Sequence, residues 1–172
     1  LSACINQILD ADTILINEAE LYPGQLNLEI PGSFFELSPA SGLGWGIGAA
    51  LGAKLAAKEK TVIVTVGDGS YIFSSPTACH FVSYAYTLPI LVIIVNNQCW
   101  NAVRRATRSL HPNGWAVKNN CFPLTDLCPT TDFEMICKAN GGYGERVEDP
   151  EQVIPALQRG QKVVQDQKRQ AV

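Results

Sequence analysis

The chain is short of several things. It has one Met, two His and three Trp in 172 residues, and its longest apolar stretch is Ile90 to Val95. A run of that length is far below the ~20 residues needed to span a bilayer, so no membrane segment is expected. The six cysteines, Cys4, Cys79, Cys99, Cys121, Cys128 and Cys137, include no CxxC pair. That argues against a zinc site or disulfide framework and for reduced thiols in a cytoplasmic protein. Thirteen basic against sixteen acidic residues give a net charge of −3. A nucleic-acid partner would need a basic stripe, and the nearest feature, Arg104, Arg105 and Arg108, reads as a solvated loop face. The first residue is Leu1, and no basic stretch leads into an apolar one. No secretory signal is expected, and the chain is read as processed at its start or as part of a longer one.

What is present reads as one globular domain over residues 1–172, with 47% apolar and 17% charged residues. Two β-branched runs, Thr61 to Val66 and Ile90 to Val95, are apolar on both faces and predict buried parallel strands. Between them Ser75-Pro76 offers a helix N-cap with proline at the first helical position, and Ala78, Val82 and Ala85 recur at helical spacing. The alternation extends outward. Helices are expected over Ala3 to Leu9, Gly46 to Lys58, Asp132 to Ala139 and Pro150 to Gln167, and strands over Thr13 to Asn17 and Gly144 to Val147. This pattern predicts a doubly wound α/β layer, a mostly parallel sheet with helices on both faces. Asn96 to Thr131, with Pro112, Gly114, Pro123 and Pro129, reads as a long loop that starts at the carboxyl end of a strand, where ligands bind in such sheets.

The first strong run leads directly into Gly67-Asp68-Gly69-Ser70 and the second into Asn96-Asn97. Two glycines permit a sharp turn with exposed N–H groups, and an aspartate at a strand end can offer a carboxylate to a hard cation. The 26 residues between Gly69 and Asn96 are what one helix and one strand consume. Asp68 and Asn97 are therefore expected from adjacent strand ends and could converge on one ion. The plain alternative is a strand-end turn and a polar loop start. Asn119-Asn120 serves as an internal control, since no strand precedes it.

Gly67-Asp68-Gly69-Ser70 followed by Asn96-Asn97 resembles the GDG…NN signature of thiamine diphosphate (ThDP) enzymes. Ser41 to Ala56 resembles their upstream glycine-rich segment, and Gly144 to Pro150 the segment that opens their terminal helix. The likeness is closest to the acetolactate synthase, benzoylformate decarboxylase and pyruvate decarboxylase group, and covers only their carboxyl-terminal, diphosphate-binding domain. It implies ThDP and Mg²⁺ as cofactors, with Asp68, the Asn97 side chain and the Cys99 carbonyl as metal ligands. It further implies Gly67, Gly69 and Ser70 around the diphosphate, Ser41 and Gly42 toward the aminopyrimidine, Leu43 as the apolar prop of the bent cofactor, and Trp100 near the site. For Leu43 a helix-entry core leucine is the alternative. The segment Asn17 to Leu21 departs from the pattern, because relatives often place Ser or Thr where Glu20 and Leu21 stand. Val103 stands where pyruvate decarboxylases carry an acid, so no proton relay of that type is expected. His80 is expected to be structural, and His111 lies in the long loop.

The activity implied is 2-oxo acid decarboxylation or acetolactate synthase-like carboligation. No catalytic residue is expected in this chain, because the glutamate that activates the aminopyrimidine belongs to a pyrimidine-binding domain, in a longer chain or another subunit. The whole enzyme is expected to be a homodimer or tetramer. Two alternatives remain open: a subunit that keeps the fold without catalysis, and an NAD-binding Rossmann-type oxidoreductase domain. For the latter, Gly44-Trp-Gly-Ile-Gly-Ala49 matches GxGxxA and Asp68 follows 24 residues after Gly44. Against it, Phe34 to Leu37 reads as a poor strand and Ser38 to Ser41 separates it from the glycines.

Overall fold

The computed structural model describes residues 1–18, 21–36 and 42–172. The chain forms two compact units, Leu1–Val95 with Asp132–Val172, and Asn96–Thr131. The first contains α1 (Ser2–Asn6), β1 (Thr13–Asn17), β2 (Phe34–Glu36), α2 (Trp45–Ala56), β3 (Thr61–Gly67), α3 (Asp68–Phe73), α4 (Pro76–Ala85) and β4 (Leu91–Val95). After the second unit, whose helices are α5 (Asn101–Leu110) and α6 (Trp115–Lys118), come α7 (Phe133–Ala139) and α8 (Val153–Asp166).

The four strands pair in parallel in the order β2-β1-β3-β4. Alternate residues of each strand point to opposite faces, so one run of valines and isoleucines feeds two cores. Ile16, Val62, Val64, Val66 and Val92 pack with Ile47, Leu51, Tyr71 and Phe133, under α2, α3, α4 and α7. Leu15, Ile63 and Leu91 pack with Ile5, Leu157, Val163 and Val164, under α1 and α8. This is the doubly wound, parallel α/β arrangement expected. From β1 the chain goes to β2 on one side and then crosses to β3 on the other. The strand order therefore reverses between β1 and β3, which marks the crevice at their carboxyl ends.

Three expectations need correction. Gly144 to Val147 is not a strand: pairing there is limited to a single bridge between Tyr143 and Ala171, with Glu145 N donating to the Val172 carbonyl and Val172 N to that of Tyr143. Gly144 lies against the Glu134 backbone, where a Cβ would come within 2.3 Å of the Glu134 carbonyl, and this close approach to α7 diverts the segment from a ladder. Asn96–Thr131 is not a bare loop, since α5 and α6 lie within it. Arg104 and Arg108 sit on α5, where Arg104 pairs with Asp126 and donates to Thr125 Oγ1, and Arg108 lies over the Phe122 ring at 4.6 Å. Ser75 precedes α4 as foreseen but in left-handed conformation (φ 54°), with no side-chain cap bond; the Pro76 ring and not the hydroxyl fixes the helix start. Phe34–Glu36 does form a short edge strand beside β1.

The residues after α8 close the sheet edge. Val92 N donates to the Ala171 carbonyl, and Ala171 N donates to that of Ile90.

Candidate cofactor site

At the β1/β3 switch point the end of β3 turns into α3 at Gly67-Asp68-Gly69-Ser70. Gly67 is extended (φ −75°, ψ 162°) and Asp68 is the first helical residue. Asp68 is only 3% exposed. Its Oδ1 accepts from Gly69 N at 2.8 Å. Its Oδ2 is buried with no hydrogen-bond partner, one of two such side-chain atoms among the described residues, the other being Trp45 Nε1. A buried carboxylate oxygen left unpaired is costly, and a cation is the partner that would offset it. Ser70 is buried beside it. Gly67 stands level with Val95 in the ladder, so the chain leaves β3 toward Asp68 and β4 toward Asn96 at the same height.

The turn is braced from behind. Tyr71 Oη and His80 Nε2 are 2.7 Å apart, and His80 Nδ1 is 2.6 Å from Gln170 Oε1. The Gln170 amide NH₂ donates to the carbonyls of His80 and Asn140, so its oxygen faces His80. His80 is then neutral with its proton on Nδ1, accepting from the tyrosine hydroxyl at Nε2. Burial pushes the His80 pKa down and the Tyr71 hydroxyl well above its ordinary value. His80 is structural, as expected.

A residue not anticipated from the sequence is Glu18, at the end of β1. Its carboxylate accepts from Gly44 N at 2.6 Å and Gly46 N at 2.7 Å, neutralising the amide-rich start of α2. Gly44 has φ 87°, and a Cβ there would lie 2.7 Å from Ser74 N; only glycine fits this crossing of α2 and α3. In a GxGxxA dinucleotide site these amides would hold a pyrophosphate. Here a carboxylate occupies them, and the dinucleotide reading fails on this contact. The signal was an acidic residue at a strand end, whose partner lay 26 residues ahead. Leu43 is 48% exposed, which removes the core-leucine alternative. Gly42 is exposed, and Ser41 lies outside the described residues, as does Glu20. Leu21 is buried in the core against α1 and α8.

Within the second unit, Asn97 Oδ1 accepts from Cys99 N at 3.0 Å and Cys99 Sγ at 3.3 Å, and Gln98 is left-handed (φ 57°). The Cys99 carbonyl accepts from Asn101 N, and Trp100 N donates to the Thr125 carbonyl. Cys99 bridges to Asp126, and Asn96 Nδ2 donates to Thr130 Oγ1. His111 is exposed at the end of α5. All six cysteines are free. Among the described residues no three His, Cys, Asp or Glu side chains cluster as a metal site. A site of one carboxylate with amide and carbonyl oxygens is not of that kind, and such an oxygen set suits magnesium.

Residues 22–171 match the family "Thiamine pyrophosphate enzyme, C-terminal TPP binding domain". The chain belongs to this family. The TPP-binding domain is 30% identical over 156 residues to an acetolactate synthase large subunit of Mycobacterium tuberculosis, a match covering 88% of the chain and 27% of that protein. It is 31% identical over 104 residues to a benzoylformate decarboxylase of Pseudomonas aeruginosa, covering 58% and 19%. Among solved structures, the ThDP-dependent 4-hydroxybenzoylformate decarboxylase of Rhodococcus jostii matches with a TM-score of 0.79 and 28% identity, over 98% of this chain and 30% of that one. The domain thus spans under a third of the length of these relatives. Among the described residues no helix is long and apolar enough to cross a membrane.

Proposed function

We propose that this domain holds the diphosphate end of ThDP through a Mg²⁺ ion, as part of a 2-oxo acid decarboxylase or an acetolactate synthase-like carboligase. The observation that carries the metal is the unpaired, buried Asp68 Oδ2 in the turn after β3. Asp68 supplies the anionic ligand, and Asn97 and the Cys99 carbonyl are the further protein ligands that the motif implies. Gly67, Gly69 and Ser70 line the diphosphate side. Gly69 N donates to Asp68 Oδ1 and so ties the diphosphate side of the turn to the carboxylate that would hold the ion. Ser41, Gly42 and Leu43 are assigned to the aminopyrimidine side, where the exposed Leu43 side chain offers apolar surface to a bent cofactor, and Trp100 is placed near the site. When bound, ThDP supplies an electron sink for the carbanion left by decarboxylation.

What the chain's own residues do is bind and orient. Asp68 fixes the ion, Glu18 holds the start of α2 and with it Leu43, and the Tyr71–His80–Gln170 chain keeps α3 in place. The proton-moving glutamate is assigned to a pyrimidine-binding domain, in the same longer chain or another subunit of a homodimer or tetramer. Accordingly the 172-residue chain alone turns over no 2-oxo acid. The free thiols suit a reducing compartment such as the cytoplasm.

Calorimetry with ThDP and Mg²⁺ tests the reading, with NAD as the control. Heat of ThDP binding that requires Mg²⁺ and disappears in Asp68→Ala supports it. Binding indifferent to Mg²⁺, or unchanged in Asp68→Ala, overturns the metal assignment.

A further inference from the structure

Two carboxylates are buried among the described residues, Glu18 at 9% exposure and Asp68 at 3%, and both stand at the carboxyl edge of the sheet. Glu18 follows β1 and donates its backbone N–H to the Thr65 carbonyl of β3, three positions before Asp68. Among the described residues neither forms an ion pair. Their partners differ. Asp68 Oδ2 has none, whereas both Glu18 oxygens accept a backbone N–H, Oε1 from Gly44 and Oε2 from Gly46. These amides open the 12-residue α2, whose N-cap, Gly44, has no side chain to offer them. Ser, Thr, Asp or Asn at the N-cap is the ordinary acceptor for such amides. Here a charged side chain from 26 positions away is buried to reach them, at a cost in desolvation. It fills the space completely: a Cβ on Gly46 would come within 2.7 Å of Glu18 Oε2 and 3.1 Å of Glu18 Cβ.

An anionic group whose two oxygens accept from two amides of a glycine-rich helix start has the charge and the geometry of a bound phosphate. We infer that Glu18 is a built-in phosphate mimic that determines where this crevice takes phosphate. With the α2 amides filled and a fixed negative charge beside them, a phosphate finds neither donors nor space there, and like charges repel it. The position left for an anion is the one reached through a cation at Asp68. Glu18 thereby makes uptake of a diphosphate depend on a metal ion, and it keeps out ligands, dinucleotides among them, whose phosphates sit directly on helix amides. The part that concerns Asp68 rests on the proposed function; the filling of the α2 start by Glu18 does not.

Anion binding without Mg²⁺ tests the inference. E18A removes a CH₂–COO⁻ unit, the size of an acetate ion, and leaves the Gly44 and Gly46 amides without their acceptor. In buffer containing EDTA, E18A is expected to take up acetate and inorganic phosphate with dissociation constants of about 1 mM, with chloride at equal ionic strength as the control. At about ten times such a constant, an anion that binds only the folded chain raises the folded-to-unfolded ratio about tenfold, which urea denaturation reads. The wild-type chain is expected to respond to phosphate no more than to chloride. Amide NMR locates the ion: phosphate should move the Gly44 and Gly46 resonances in E18A and leave them in place in the wild-type chain. E18S, which also vacates the amides, stands in if E18A does not fold, and if neither folds the wild-type resonances decide. A folded E18A or E18S that acetate and phosphate stabilise no more than chloride does, or movement of Gly44 and Gly46 in the wild-type chain, overturns the inference. No metal and no ThDP enter this experiment. Rescue of E18A therefore stands even if ThDP fails to bind, and Mg²⁺-dependent ThDP binding stands even if E18A is not rescued.

Discussion

The two strand-end motifs are built in opposite ways. At the end of β3 the Asp68 carboxylate is buried, braced by its neighbours, and left with one oxygen unpaired. After β4, Asn97 and Cys99 satisfy each other, the amide oxygen accepting from the Cys99 backbone and thiol while the Cys99 carbonyl accepts from Asn101. One motif stores an unmet need for a ligand; the other is content without one. The difference teaches that the fold prepares a buried carboxylate with one oxygen unpaired at the end of β3, while the turn after β4 pairs its own polar atoms; in the proposed function these are the anionic and the neutral metal ligands.

Substitutions should separate the two. Asp68→Asn is expected to reduce Mg²⁺-dependent ThDP affinity by about 100-fold, roughly 2.7 kcal/mol, while leaving the melting temperature of the ligand-free chain unchanged or raised. Removing a buried unpaired charge relieves its desolvation. Calorimetry and thermal melts read both quantities; a ligand-free chain that melts markedly lower would mean the carboxylate is paired after all. Glu18→Ala, which strips the start of α2 of its acceptor, is expected to destabilise the ligand-free chain by about 2 kcal/mol, measured by urea denaturation. Asn97→Ala is the mirror of the Asp68 change: a loss of about 1 kcal/mol of ligand-free stability with its turn, and only about a tenfold fall in affinity. Equal affinity losses at Asp68 and Asn97 would erase the contrast.

The smallest effect at neutral pH comes from His80. Its folded pKa lies below the ordinary 6.5 because burial opposes the charged ring, so the unfolded chain takes up the proton first. Its stabilising contribution is complete above 6.5 and declines as pH falls below that value toward the folded pKa. Protection against hydrogen exchange, measured relative to the intrinsic rate at each pH, should then fall at the amides of Tyr71 and His80 in mild acid, and His80→Gln should flatten that dependence.

The main features of the fold were legible because β-branched runs and glycine-rich turns carry local signals. Thr61 to Val66 and Ile90 to Val95 announced buried strands by having no polar face, and Gly67-Asp68-Gly69-Ser70 announced a turn. α5 was hidden because Asn101 to Leu110 carries three arginines and none of its residues is buried, leaving the surrounding prolines and glycines to dominate. The candidate site was legible where the motif is contiguous, at Asp68. It was not where function depends on distance: Glu18 finds Gly44 and Gly46 only once β1 lies beside β3, and Gln170 reaches His80 across 90 positions.

The pairing of Ala171 with Ile90 and Val92 also acts as a guard. β4 is the outer strand of a parallel sheet, rich in Ile and Val, and an uncovered strand of that kind is a template for pairing between chains. The last residues occupy those backbone groups, while the opposite margin is kept safe by the brevity of β2 and by Glu36. Shortening the chain by three residues would both expose an adhesive edge and withdraw Gln170 from His80, so aggregation and loosening of the turn that carries Asp68 would arrive together.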